Sequence, residues 1–201
     1  MQSTHAAKLS VGWPVVPSLV ALTLLPLAVI GVQLMFDLDS RLGVIGYSLY
    51  KVCFLAPPLI YCRLKGISLR RDVLQCRNWR NSLPAALGLG VLGAGIFAGA
   101  YWLLGDLLLD RAMIVEKIGD QFRVTATTVL LVAPITIFCN SLLEEFFYRG
   151  FTFGQLVQHR RWLAYLLPAT VFTIQHLLFI YHWVTPLPLV LAIVGLFVFA
   201  L

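Results

Sequence analysis

The residues able to do chemistry cluster inside an apolar stretch. Glu144-Glu145-Phe146-Phe147-Tyr148-Arg149-Gly150 places two adjacent carboxylates and an arginine in what otherwise reads as a membrane-spanning helix. An ionised residue at the centre of such a helix costs roughly 2.5–3.5 kcal/mol on insertion scales, and each Leu, Ile, Phe or Val returns only about 0.3–0.6 kcal/mol. Three charges together nearly cancel the hydrophobic gain of the helix. They must therefore face a protein interior or a wet cavity, which is where intramembrane charge serves function.

On an α-helix Ser141, Glu145 and Arg149 fall on one i, i+4, i+8 line, and Asn140 and Glu144 on a second line beside it. With Tyr148 and Thr152 they form one polar stripe, opposite Phe138, Leu142, Phe146 and Phe153, which suit lipid or apolar packing. Glu145 and Arg149 can pair. Glu144 is then left without an intrahelical countercharge, which makes it the candidate for acid–base chemistry.

A carboxylate needs a partner, and the run Phe172-Thr173-Ile174-Gln175-His176 supplies one. Phe172 and His176 share a helix face at i, i+4, so the aromatic ring can buttress the imidazole. If the helix carrying Glu144 continues to about Gln158 and the next begins near Trp162, both residues lie roughly 20 Å from the connecting turn at 1.5 Å per residue. Equal depth on antiparallel neighbours lets them meet. The plainer reading is a hydrogen-bonded packing histidine and a structural acidic–arginine pair; the shared depth favours a site. His182, between Tyr181 and Trp183, reads as part of an interfacial belt. Lys51 either snorkels or neutralises a carboxylate.

The cysteines add no second chemistry. Cys53, Cys62, Cys76 and Cys139 occur singly with no CxxC pair, which supports neither a disulfide frame nor a thiolate metal site. Cys139 has no His at i±3 or i±4 to activate it and reads as a small packing residue. The chain also lacks the HExxH pattern that presents two zinc-binding imidazoles from one helical face.

The elements that must position these residues follow from composition. Hydrophobic residues are 60% of the 201 and charged residues 12%, with mean hydropathy +0.87, so the chain reads as an integral membrane protein. At about 20 residues per span, it has room for one all-α transmembrane bundle of about six helices, a single integral membrane domain over residues 1–201. The apolar runs extend from about Val11 to Phe36, Leu42 to Cys62, Leu83 to Leu109, Thr125 through the acidic motif, Trp162 to about Trp183, and from Pro186 to Leu201. The first is too long for a signal-peptide core and has no clear small-residue cleavage site after it, so a retained helix is expected.

Basic residues set the expected orientation. Arg63, Lys65, Arg70, Arg71, Arg77 and Arg80 crowd the second connection, and His159, Arg160 and Arg161 the fourth. With Lys8 near the start, the rule that basic loops stay inside predicts a cytoplasmic N-terminus. The short loops suggest a bacterial inner membrane. The net charge of +6 is accounted for by topology and anionic headgroups, and nucleic acid is not implied.

Two segments have a packing reading. Gly88, Gly90, Gly93, Gly95 and Gly99 line the third run, and Gly95 with Gly99 forms a small-xxx-small pair that permits close helix approach. The connection from Asp110 to Arg123, with Met113, Ile114, Ile118 and Phe122 at helical spacing, reads either as an amphipathic surface segment or as a plain loop.

Together the two motifs resemble the CPBP intramembrane proteases, the CAAX-protease and bacteriocin-processing or Abi family. That family's first motif is Glu-Glu-x-x-x-Arg, matched by Glu144, Glu145 and Arg149, and its second is Phe-x-x-x-His, matched by Phe172 and His176. The resemblance covers roughly residues 125–201. It implies that Glu144 activates a water for attack on a peptide bond, with His176 assisting, Glu145 supporting and Arg149 holding the acidic site in place. It further implies a glutamate-type protease with no cofactor, although the family has also been labelled metalloprotease. The partner it implies is a membrane-anchored protein or peptide substrate in the lipid bilayer.

The family's later His-x-x-x-Asn or His-x-x-x-Asp motif has no counterpart, since no His follows His182. Gly195-Leu196-Phe197 resembles its lead-in. The expectation is therefore of a last helix cut short, or of a degenerate member. Oxyanion donors lost with that motif would cost on the order of a hundredfold to a thousandfold in rate. The alternative function is a non-proteolytic membrane immunity or scaffold protein, or a small proton-coupled carrier using the same Glu and His as a relay.

Overall fold

The computed structural model describes residues 14–42, 45, 49–69, 73, 79–122, 127, 129–181 and 184–201, and among these it is all helix and turn. Helix α1 spans Val15–Met35, the short α2 Leu38–Leu42, α3 Val52–Lys65 after a 3-10 turn at Leu49–Lys51, and α4 Trp79–Leu108. Helix α5 spans Arg111–Phe122, α6 Val129–Glu144, α7 Arg161–Ile180 and α8 Pro186–Ala200. Lys8, Arg70, Arg71, Cys76, Arg77, Arg123, His182 and Trp183, and the side chain of Cys139, lie outside the described residues.

The all-α bundle is as expected, but the six spans are not of equal standing. Among the described residues three helical stretches are long and apolar enough to cross a membrane: Val15–Met35, Leu83–Gly105 and Arg161–Ile180. The second run is described only in part. Its described helix runs from Val52 to Lys65, 14 residues, after the 3-10 turn, and residues 43, 44 and 46–48 of the run lie outside the described residues. Its end is fixed by backbone chemistry. Gly66 adopts φ 68°, Gly66 N–H donates to Arg63 and Ile67 N–H donates to Cys62, the paired bonds of a Schellman cap, which glycine makes without steric cost.

The fourth run does continue past its acidic motif, but not as a regular α-helix. From Glu145 to Phe153 the backbone is π-helical, and Gly154–Leu156 returns to α before the turn leading to α7. The i→i+5 pattern carries more residues per turn than the 3.6 of an α-helix. The wider winding holds Glu144, Tyr148, Thr152 and Leu156, spaced by four, on one buried face, together with Phe147, Phe151 and Gln155. It also splits the expected apolar back. Phe138 and Leu142 stay exposed, whereas Phe146 and Phe153 turn inward and pack partly buried against the core.

That π-helical segment is the hub of the bundle, packing against α1, α3 and α7, while α7 also packs on α1 and α8. Thr23 of α1 meets Thr152 at 3.4 Å inside it. Behind the hub lies an aromatic core: Phe54 of α3 meets Phe147 at 5.0 Å and Tyr148 at 5.7 Å between ring centroids, and Tyr61 meets Phe151 edge-on at 5.7 Å. Such tilted and edge-on pairs add roughly 0.5–1.5 kcal/mol each beyond burial.

The glycine-lined helix does not behave as expected. No described atom lies within 4 Å of where a Cβ would stand on Gly88, Gly90, Gly93, Gly95 or Gly99, so these glycines receive no neighbouring helix among the described residues. The face that α4 presents is exposed. The connection after it resolves in favour of a helix: Asp110 caps α5, its carboxylate accepting from Met113 N–H at 3.0 Å.

Candidate active site

Glu144 is the last residue of α6, where α winding gives way to π, and it is buried with 7% exposure. Its carboxylate is held from two helices. Asn140, one turn earlier on the same helix, donates Nδ2–H to Oε1 at 3.0 Å, and Gln175 of α7 donates Nε2–H to the same oxygen at 3.0 Å. The other oxygen, Oε2, faces His176 Nε2 at 3.9 Å. The two residues expected to meet from sequence depth do meet.

His176 is held by its own helix. Its Nδ1 lies 2.9 Å from the carbonyl oxygen of Phe172, which can only accept, so Nδ1 carries the hydrogen, and in the neutral ring Nε2 presents its lone pair toward Glu144. The Phe172 ring lies 4.2 Å from the imidazole between centroids, the buttress that the i, i+4 spacing predicts. Phe172 is in turn set edge-on against Tyr148 at 5.6 Å.

Glu145 and Arg149 form the predicted i, i+4 ion pair on the exposed side of the segment, away from Asn140 and Gln175. Arg149 reaches further than the sequence suggests: Nη2–H donates to the Phe199 carbonyl at 3.1 Å, and the guanidinium lies 5.5 Å from the Phe199 ring centre. It thus ties the π-helical segment to α8. Ser141, expected on the same line, is exposed. Lys51, at the start of α3, carries its charge within electrostatic range of Glu144.

Three residues enter the site that sequence reasoning had not given a role. Gln175 is fully buried, and its Oε1 accepts from the Tyr148 hydroxyl at 2.5 Å while its amide donates to Glu144. Asn140 and Tyr148 had been placed on the polar stripe, without a partner for either. A polar residue next to a candidate histidine in an apolar helix was the available signal for Gln175.

A cavity of about 280 Å³ lies beside the pair, walled by Glu144, Tyr148, Arg149, Phe153, Tyr165 and Phe172 with the end of α8. Its charged groups are Glu144 and the Glu145–Arg149 pair, and aromatic rings share its lining, with Phe153 and Tyr165 edge-on at 5.0 Å. Among the described residues no three His, Cys, Asp or Glu side chains are grouped so as to hold a metal ion.

Both sequence motifs fall within a single family match: residues 126–201 match the Rce1-like family model, type II CAAX prenyl endopeptidase Rce1-like. Residues 126–201 are thus similar to the CAAX-protease family. The resemblance read from Glu144, Glu145, Arg149, Phe172 and His176 is thereby borne out at the level of the family. The matched segment holds the end of α6, the π-helical hub, α7 and α8, so the candidate site lies inside it. Comparison with curated proteins and with solved structures yields no match. The match and the long apolar helices together support an integral membrane protein with a region similar to a peptidase family.

Proposed function

We propose that the protein is an intramembrane endopeptidase in which Glu144 and His176 activate one water against a peptide bond of a membrane-anchored substrate. The observation carrying this reading is the 3.9 Å separation between His176 Nε2 and Oε2 of Glu144, a residue that lines the cavity. Two acceptors cannot hydrogen-bond to each other, but at that distance they can share a water that donates one hydrogen to each.

The chemistry follows from that placement. As the water oxygen attacks the carbonyl carbon, its proton passes to the Glu144 carboxylate, and the C–N bond then breaks as that proton is delivered to the leaving amine. His176, fixed by Phe172, orients the water through its Nε2 lone pair. Glu145 supports the site as the partner of Arg149, and Arg149 holds the segment against α8. The reading uses no metal or other cofactor. An orientation with the N-terminus in the cytoplasm, in a bacterial inner membrane, fits the basic second and fourth connections.

The deciding experiment is cleavage of tagged, membrane-anchored peptides by the reconstituted protein. Glu144→Gln keeps the shape of the side chain and removes the base; general acid–base catalysis is worth about 10²–10⁴-fold, so cleavage falls by that factor while insertion is retained. Equal cleavage by wild type and Glu144→Gln would sink the protease reading in favour of a scaffold that keeps only the architecture.

A further inference from the structure

We infer that Gln175 and Tyr148 are positioning residues that set which oxygen of Glu144 acts as the base, an inference that rests on the protease reading above. Both side-chain hydrogen bonds to Glu144 among the described residues end on Oε1. That oxygen is saturated by two N–H donors, and Oε2 is the one turned to His176.

The direction of every bond in the relay is fixed by chemistry. An ionised carboxylate can only accept, so Gln175 must present its NH₂ group to Glu144. Its Oε1 then points the other way and needs a donor, and the Tyr148 hydroxyl supplies one at 2.5 Å. Tyr148 thereby locks the amide against flipping. Gln175 has no exposed surface and Tyr148 is 4% exposed, so water does not stand in for either group.

The framework is rigid at both ends. Tyr148 lies between the Phe54, Phe147 and Phe172 rings, and Phe172 also buttresses His176. Gln175 and His176 are consecutive on α7, so one helix carries both the group that pins Oε1 and the group that faces Oε2. Without the Gln175 amide only Asn140 holds Oε1, from the helix that carries Glu144 itself, and the tie that aligns the carboxylate with α7 and His176 is lost.

The test compares Gln175→Met, which keeps length and packing but removes the donor, with Tyr148→Phe and the double variant, on the tagged membrane-anchored peptides. For Gln175→Met we expect kcat to fall about a hundredfold, the cost of a misplaced reactive group, with KM within about twofold and thermal stability retained. Tyr148→Phe is expected to lower kcat about tenfold alone and not at all further in the Gln175→Met background, because both act through one amide. Independent losses in the double variant, or wild-type kcat in Gln175→Met alongside an inactive Glu144→Gln, overturn the inference while leaving the protease reading in place. A second readout needs no turnover: the carboxylate bands of Glu144, isolated as an infrared difference between wild type and Glu144→Gln, are expected to shift in Gln175→Met. If wild type and Glu144→Gln cleave alike, the protease reading fails, and unchanged bands in Gln175→Met then remove the positioning claim as well.

Discussion

Arg149 and Phe199 are joined twice over: the guanidinium donates to the Phe199 backbone carbonyl at 3.1 Å and lies 5.5 Å from the centre of its ring. The same side chain also pairs with Glu145. One planar fork therefore connects the exposed carboxylate of the acidic motif to the last helix, across the mouth of the cavity that Ala200 helps to wall.

A lysine could keep the attraction to Glu145 but could not serve the carboxylate and the carbonyl together, because it lacks the fork. Arg149→Lys is therefore expected to loosen α8 from the π-helical segment. Both partners are substantially exposed, so the loss of stability is small, within about 1 kcal/mol. The checks are spin-label distances between α8 and α6, which should broaden, and cleavage, which should fall by about tenfold as the cavity wall moves.

Phe172 and His176 make a graded pair of substitutions. His176→Ala removes the lone pair facing Glu144 and is expected to lower kcat by about a hundredfold or more. Phe172→Leu leaves the imidazole in place but takes away the ring at 4.2 Å. Its loss should be smaller and should appear in kcat before KM. Kinetics of the two variants on one peptide substrate decide this, and equal loss from both would mean that the ring does more than buttress.

Phe54 tests whether the aromatic core supports the site. It is fully buried on α3 and touches both Phe147 and Tyr148. Phe54→Ala should cost about 3–5 kcal/mol, the usual range for a buried phenylalanine, measured by unfolding in detergent. Tyr148 loses its backing in that variant, so kcat should fall as well.

Metal removal addresses the older labelling of the family. Glu144 and His176 come as a pair, with Glu145 engaged by Arg149. The metal-free reading predicts that prolonged treatment with a strong chelator leaves the cleavage rate within about twofold, and that added zinc does not raise it. Loss of activity restored by one divalent metal would replace the reading with a metalloprotease.

What the sequence determined on its own was everything carried by helix periodicity and composition. The Glu145–Arg149 pair and the Phe172–His176 buttress are i, i+4 neighbours, and a helix brings such residues together whatever surrounds it. The meeting of Glu144 and His176 was also legible, because a short turn between two apolar helices fixes relative depth. The tertiary structure decided the rest. The role of Gln175 depends on the rotation of α7 about its axis against the π-helical segment, and no spacing within either helix sets that rotation; packing of Phe172 on Tyr148 does. The inward turn of Phe146 and Phe153 follows from π winding, a backbone state that side-chain periodicity assumed to be α could not reveal. The glycine face of α4, open among the described residues, makes the converse point: small residues permit a close neighbour, and only the assembled fold determines whether one is there.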